Sequence, residues 1–151
     1  SDDTDYLRHL PLTLRQGDFT LAHGSPREPV WEYIISTQSA DENFAHFDTP
    51  FCLIGHSHVP LVFELGRDGR CQFRQLPATL SLKADDKRLI INCGSVGQPR
   101  DGDPRASYTI LDTEEAAIHH YRISYDISAT QQSMKEAGLP ARLINRLALG
   151  W

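Results

Sequence analysis

Short extended runs separated by turn residues dominate the chain, and helical periodicity is confined mainly to its middle and its end. Residues 10–15 and 19–22 are two such runs, and Gln16-Gly17-Asp18 between them reads as a hairpin turn. Residues 4–10 have the character of a helix end. Residues 26–33 form a loop or a short extended piece, and the spacing over 39–47 predicts a helix with Ser39 or Asp41 near its cap. The unbroken apolar run Phe51-Cys52-Leu53-Ile54, closed by Gly55, predicts a strand buried on both faces. Residues 60–65 and 70–75 flank Gly66-Arg67-Asp68-Gly69 as a second hairpin. Residues 88–93 and 107–112 bracket a loop rich in glycine, proline and arginine, and 116–125 alternates like a half-exposed strand. In the tail, Asp126 caps a helix over 127–137 that Gly138 stops, and Pro140 opens a second helix running to about residue 149. Leu139, Leu143, Ile144 and Leu147 recur there at helical spacing, which favours packing on the sheet over a partner-binding role. The expected class is α/β, with a dominant sheet and a C-terminal helical hairpin.

Two of the extended runs end on histidine beside glycine. His56 and His58 follow the 51–54 run in Gly55-His56-Ser57-His58, and His23-Gly24 closes residues 19–22. A strand that hands over to a loop at glycine lets the backbone turn sharply, and adjacent strands could then bring three imidazoles to one sheet edge. From spacing alone, a His-x-His pair is a structural or surface pair at least as often as a metal site. His119-His120 cannot chelate one ion together, because adjacent strand residues face opposite ways. His9 and His46 have no motif and read as surface or packing residues. Three neutral imidazoles without carboxylates make a poor site for a catalytic pair of hard ions. Gly17-Asp18 is no substitute, since it occupies the hairpin turn.

Composition narrows the partners. The formal net charge of −5 argues against a nucleic-acid surface, although a metal site could still bind a phosphodiester. No run of about 18 apolar residues occurs, so a soluble protein is expected. Cys52, Cys71 and Cys93 share no C-x-x-C spacing and read as free thiols of a reducing cytoplasm. Ser25 and Ser95 lack a G-x-S-x-G elbow, and Gly94-Ser95-Val96-Gly97 does not continue as a P-loop. Asp101-Gly102-Asp103 lacks the remaining ligands of a calcium loop.

The order of three motifs resembles the C-terminal part of calcineurin-like metallophosphoesterases. His23-Gly24 is similar to that family's lone-histidine motif and Gly55-His56-Ser57-His58 to its Gly-His-x-His motif. Residues 92–100, Asn-Cys-Gly-Ser-Val-Gly-Gln-Pro-Arg, are similar to the loop that follows. The resemblance covers most of residues 9–125. It implies the layered sheet of an αββα sandwich, with 1–151 as the C-terminal part of one domain: 1–125 mainly sheet with ligand loops, 126–151 the helical hairpin. It also implies two-metal phosphoester hydrolysis, of monoesters or diesters, with two divalent ions drawn from Mn, Fe, Zn and Co. By the family pattern His23 and His56 bind one ion and His58 the other. Arg100, Ser95 and Arg27 are the expected substrate contacts, with Arg105 a weaker one and Trp31 a candidate groove residue. The family's Asp-x-His, Gly-Asp and Gly-Asn-His motifs do not occur in this sequence. The expectation is therefore an N-terminal half supplied from elsewhere or by a second copy, a start at Ser1 that reflects truncation, and a weakly active or inactive isolated chain. A noncatalytic binding or assembly piece is the alternative.

Overall fold

The computed structural model describes residues 2–83 and 87–151, so Ser1 and the reading placed on it lie outside the described residues. Helix α1 (Asp2–Arg8) has aspartates in its first turn and Arg8 in its last, which suits the helix dipole, yet buries no residue. The first hairpin pairs β1 (Thr13–Gln16) with β2 (Phe19–Ala22). Its turn is Gly17-Asp18, with Gly17 at φ +55°. The first strand starts later than residue 10, because the Leu10 amide bonds back to the Leu7 carbonyl at the helix end and Pro11 has no N–H to pair.

Parallel pairing builds the centre of the sheet. β3 (Phe51–Ile54) lies parallel to β2 and to β7 (Arg88–Asn92), and β7 continues antiparallel to β4 (Leu61–Leu65), which pairs with β5 (Cys71–Gln75). The strand order is β1-β2-β3-β7-β4-β5. The three parallel strands therefore end at one edge, where His23, Gly55 and Cys93 emerge side by side. In open sheets of parallel strands, that carboxyl edge is where ligands collect.

Alternation along the central strands divides the core in two. Phe51, Val62, Leu89 and Ile91 face a second sheet, and pack there with Leu80 and Ile118. Cys52, Ile54, Phe63 and Ile90 face the other way, onto Ile34 and helix α2 (Thr37–Phe44). The second sheet has the order β6-β9-β8, from β6 (Thr79–Ser81), β8 (Ala106–Asp112) and β9 (Ala117–Ile123). The layers thus run helix, sheet, sheet. Among the described residues no helix packs on the smaller sheet, whose outer face shows Ile110, Tyr121 and Ile123 to solvent.

Helix α2 begins earlier than residue 39. Ser36 is the cap, and its hydroxyl accepts from the Ser39 amide while Ser39 Oγ accepts from the Ser36 amide, a reciprocal capping box. The helix also ends early, at Phe44, where the Arg88 guanidinium takes the carbonyls of Phe44 and Phe47 and lies over the Phe47 ring. In the tail, Asp126 caps α3 (Ile127–Glu136) by accepting from the Ala129 amide, and Gly138 terminates it at φ +72°. The second helix is shorter than expected: α4 (Ala141–Asn145) tightens into a 3-10 turn, Arg146–Leu149. The packing expectation also changes. α3 buries no residue and meets α4 rather than any strand, through contacts such as the Gln131 side chain on the Ile144 carbonyl. What anchors the tail is Leu147, which is buried, and Gly150, whose carbonyl accepts from the Gly102 amide.

Candidate metal centre

The three strand ends are stitched together beyond the sheet. The Gly55 amide donates to the His23 carbonyl (2.9 Å), and the Cys93 amide donates to the Ile54 carbonyl (3.3 Å), so the parallel ladder runs on into the loops. Buried Asn92 ties them further. Its side-chain N–H groups donate to the Gly55 carbonyl (2.5 Å) and to Ser57 Oγ (2.9 Å), and its Oδ1 accepts from the Gly94 amide (2.9 Å).

The sharp turn sits on the histidines rather than on the glycine. His56 and His58 have φ of 60° and 61°, in the left-handed region, whereas Gly55 does not. For residues with a Cβ this costs roughly 1–2 kcal/mol each, and such strain persists only where the surroundings impose it. Here the Asn92 and His23 bonds impose it, and the result is that both rings are thrown to the carboxyl edge.

His23 Nε2 and His56 Nδ1 lie 3.0 Å apart. Two nitrogens at about 2.0–2.1 Å from one tetrahedral ion would be separated by about 3.3 Å, so the pair is spaced close to what a shared ligand set needs. Backbone carbonyls orient the other rings. His58 Nδ1 donates to the Gln98 carbonyl (2.7 Å), leaving Nε2 as its lone-pair donor, and the His56 ring bonds the Trp31 carbonyl. Tyr33 stacks on His56 with centroids 4.1 Å apart. Burial pushes both His56 and His58 below the ordinary imidazole range. For His56 the His23 ring adds to this, and for His58 the Arg100 guanidinium does, against the pull of the carbonyls. Both are therefore held neutral, the form that can ligate a metal. Nitrogen donors of this kind fit Zn, Fe, Co or Mn better than Mg or Ca.

The other expected contacts fare differently. Arg100 belongs to the site: its amide donates to the His58 carbonyl (3.1 Å), and two of its guanidinium N–H groups rest on Gln98 Oε1. Ser95 shapes the loop, with Oγ accepting from the Gln98 amide (3.0 Å). Arg27 is tied elsewhere, to Glu32 and Glu42. Arg105 is paired with Asp103, and Arg122 with Asp101, which also accounts for the Asp101-Gly102-Asp103 stretch without calcium. Among the described residues the trio whose ligand atoms all lie within 4.8 Å of one another is Asp112, Glu115 and His119 rather than the three strand-end histidines, of which His23 and His56 approach that closely, but Asp112 Oδ1 already accepts from the Glu114 and Glu115 amides as a turn cap. Pattern reasoning missed Tyr33, Asn92 and the carbonyls of Trp31 and Gln98 as parts of the centre.

The sequence profile of the calcineurin-like phosphoesterase superfamily domain matches residues 1–116. The chain belongs to this superfamily. Its members are metal-dependent phosphoester hydrolases that bind divalent metals. An uncharacterized protein of Methanocaldococcus jannaschii, MJ0912, is 34% identical over 155 residues, which covers 99% of this chain and 60% of that protein. The crystal structure of a metallophosphoesterase from Sphaerobacter thermophilus superposes with a TM-score of 0.91 at 43% identity, covering 100% of this chain and 64% of the other. A hypothetical protein, PH1004, from Pyrococcus horikoshii shares the fold, at a TM-score of 0.73 and 20% identity, over 99% of this chain and 55% of its own. The chain thus spans less than two thirds of the length of each.

Proposed function

We propose that this calcineurin-like phosphoesterase chain carries the histidine side of a two-metal centre for hydrolysis of a phosphomonoester or phosphodiester. The observation that carries the reading is the 3.0 Å approach of His23 Nε2 to His56 Nδ1, with His58 oriented by the Gln98 carbonyl on the same loop. His23 and His56 would hold one ion and His58 the other, chosen among Mn, Fe, Zn and Co. When bound, such ions supply an activated hydroxide and charge neutralisation for the phosphoryl oxygens. The chain's own part is to hold the imidazoles neutral and aimed, and to meet substrate oxygens with the guanidinium N–H groups of Arg100 that Gln98 does not use. Ser95 serves this indirectly, by fixing the Gln98 turn. Carboxylate and asparagine ligands would come from polypeptide outside residues 1–151 or from a second copy; the greater length of the relatives supports this.

The experiment is hydrolysis of 4-nitrophenyl phosphate and of bis(4-nitrophenyl) phosphate with each of the four ions added. Weak, chelator-sensitive turnover that His58→Ala lowers by about 100-fold supports the reading. Metal uptake without any turnover would favour the noncatalytic reading, to which the described residues lend one observation: none places a carboxylate in a ligand trio with these histidines.

A further inference from the structure

The segment after His23 presents an unusual strip beside the centre. Exposure alternates along residues 31–35: Trp31, Tyr33 and Ile35 face outward, while Glu32 is partly covered and Ile34 is buried in the core against α2. Trp31 is 74% exposed, a large indole face open to water. Yet the strip is firmly held. Glu32 Oε2 accepts from Ser25 Oγ (2.5 Å), from the Asn43 side chain (3.0 Å) and from Arg27 Nε (3.3 Å). Gly24 folds tightly beneath it, since a Cβ there would lie 3.0 Å from the Glu28 and Glu32 carbonyls. The rigid frame holds Tyr33 flat on the His56 ring and sets Trp31 edgewise to it, with centroids 6.4 Å apart.

We propose that Trp31 and Tyr33 form an aromatic platform that recognises the planar ring of an aryl or nucleoside phosphoester. This rests on the phosphoesterase reading and adds the substrate class. A phosphoryl group held at His23, His56 and His58 carries its alcohol portion on an ester oxygen, one bond from the centre. Tyr33 has one face against His56, and Trp31, the next ring out, is the more exposed of the two. An alkyl group reaching it would gain only covered area, whereas a flat π-system gains stacking as well, and a preordered platform gives up little entropy to bind. Arg100 and the ions would meet the anionic end, and Trp31 the ring.

The test is calorimetric binding of phenyl phosphate, adenosine 5′-monophosphate and methyl phosphate to the Mn²⁺-loaded chain, without reliance on turnover. Phenyl phosphate or the nucleotide should bind about tenfold more tightly than methyl phosphate, within the range of single-ring stacking, and the tighter of the two identifies the source of the ring. Trp31→Ala, which keeps the backbone carbonyl that bonds His56, should erase that preference and bring the three ligands to similar affinity, and Trp31→Phe should restore most of it. Because Trp31 is exposed, neither variant threatens the fold. Equal affinity for all three ligands, with methyl phosphate still bound in a metal-dependent way, would overturn the platform alone. No metal-dependent binding of any of them would overturn the phosphoesterase reading and this inference with it.

Discussion

His56 and His58 hold left-handed backbone angles that an ordinary side chain avoids, and one buried residue, Asn92, supplies three of the bonds that keep them there. The next residue in that chain of support is Gly94. It sits at φ +79°, and a Cβ on it would lie 2.4 Å from Ser107 Oγ, which itself donates to the Cys93 carbonyl. Gly17, at φ +55°, has open space where its Cβ would be. Both Gly→Ala substitutions bear the left-handed cost of roughly 1–2 kcal/mol, but only Gly94→Ala must also displace Ser107. In urea unfolding Gly94→Ala should therefore lose at least about 1 kcal/mol more than Gly17→Ala; equal losses would show that the Ser107 contact yields freely. At this scale the motif letters were legible and their support was not. Trp31 and Gln98 act on the histidines through backbone carbonyls, which every residue has, so no side-chain identity advertises them.

At the scale of elements, the loop from Ser25 to Glu32 is pinned to α2 by charge. Arg27 and its bonds hold the Glu32 carboxyl down at about 2, with further help from Ser25 and Asn43 against the opposing effect of burial. A carboxylate lowered on folding stabilises fully above its unfolded value and loses that contribution as pH falls towards its folded one. The stability gap between the wild type and Glu32→Gln should thus be constant from pH 7 to about 5 and shrink between about 4.5 and 2. Chemical denaturation at stepped pH measures it, and a gap that does not change over that window would contradict the pairing. The central strands were readable because continuous apolar runs bounded by glycine and proline leave few alternatives. β6 was not: Thr79–Ser81 is a three-residue strand whose identity depends on pairing with β9. The start of α2 was misplaced because Ser36 and Ser39 both have capping chemistry, and only the reciprocal bonds say which is the cap.

For the whole molecule, the large sheet ends at β1, all four of whose residues, Leu14 among them, are exposed, and Leu10 and Leu12 just before it are open to water as well. An apolar groove of about 450 Å³ adjoins the same hairpin, lined by Phe19, Leu21, Phe51, Leu53, Leu82 and Leu111. Unpaired edges with apolar faces pair with other chains. Sedimentation velocity should show concentration-dependent association that Leu14→Lys reduces; a monomer at every concentration would contradict this. None of the described helices is long and apolar enough to cross a membrane. Cys52, Cys71 and Cys93 are free thiols, and burial pushes Cys52 up to about 12, out of reach of thiolate chemistry near neutrality. The sandwich was legible only through the order of its strand-end motifs, since the pairing of β3 with β7 across intervening strands follows no local rule.

The central claim is that His23, His56 and His58 ligate metal. Equilibrium dialysis against Mn²⁺ and Zn²⁺ should be run on the wild type, His56→Ala, His58→Ala and His119→Ala, with bound metal per chain as the readout. The account predicts that His56→Ala and His58→Ala each lose metal while His119→Ala retains it. Undiminished uptake in the first two variants, or loss confined to His119→Ala, would contradict it.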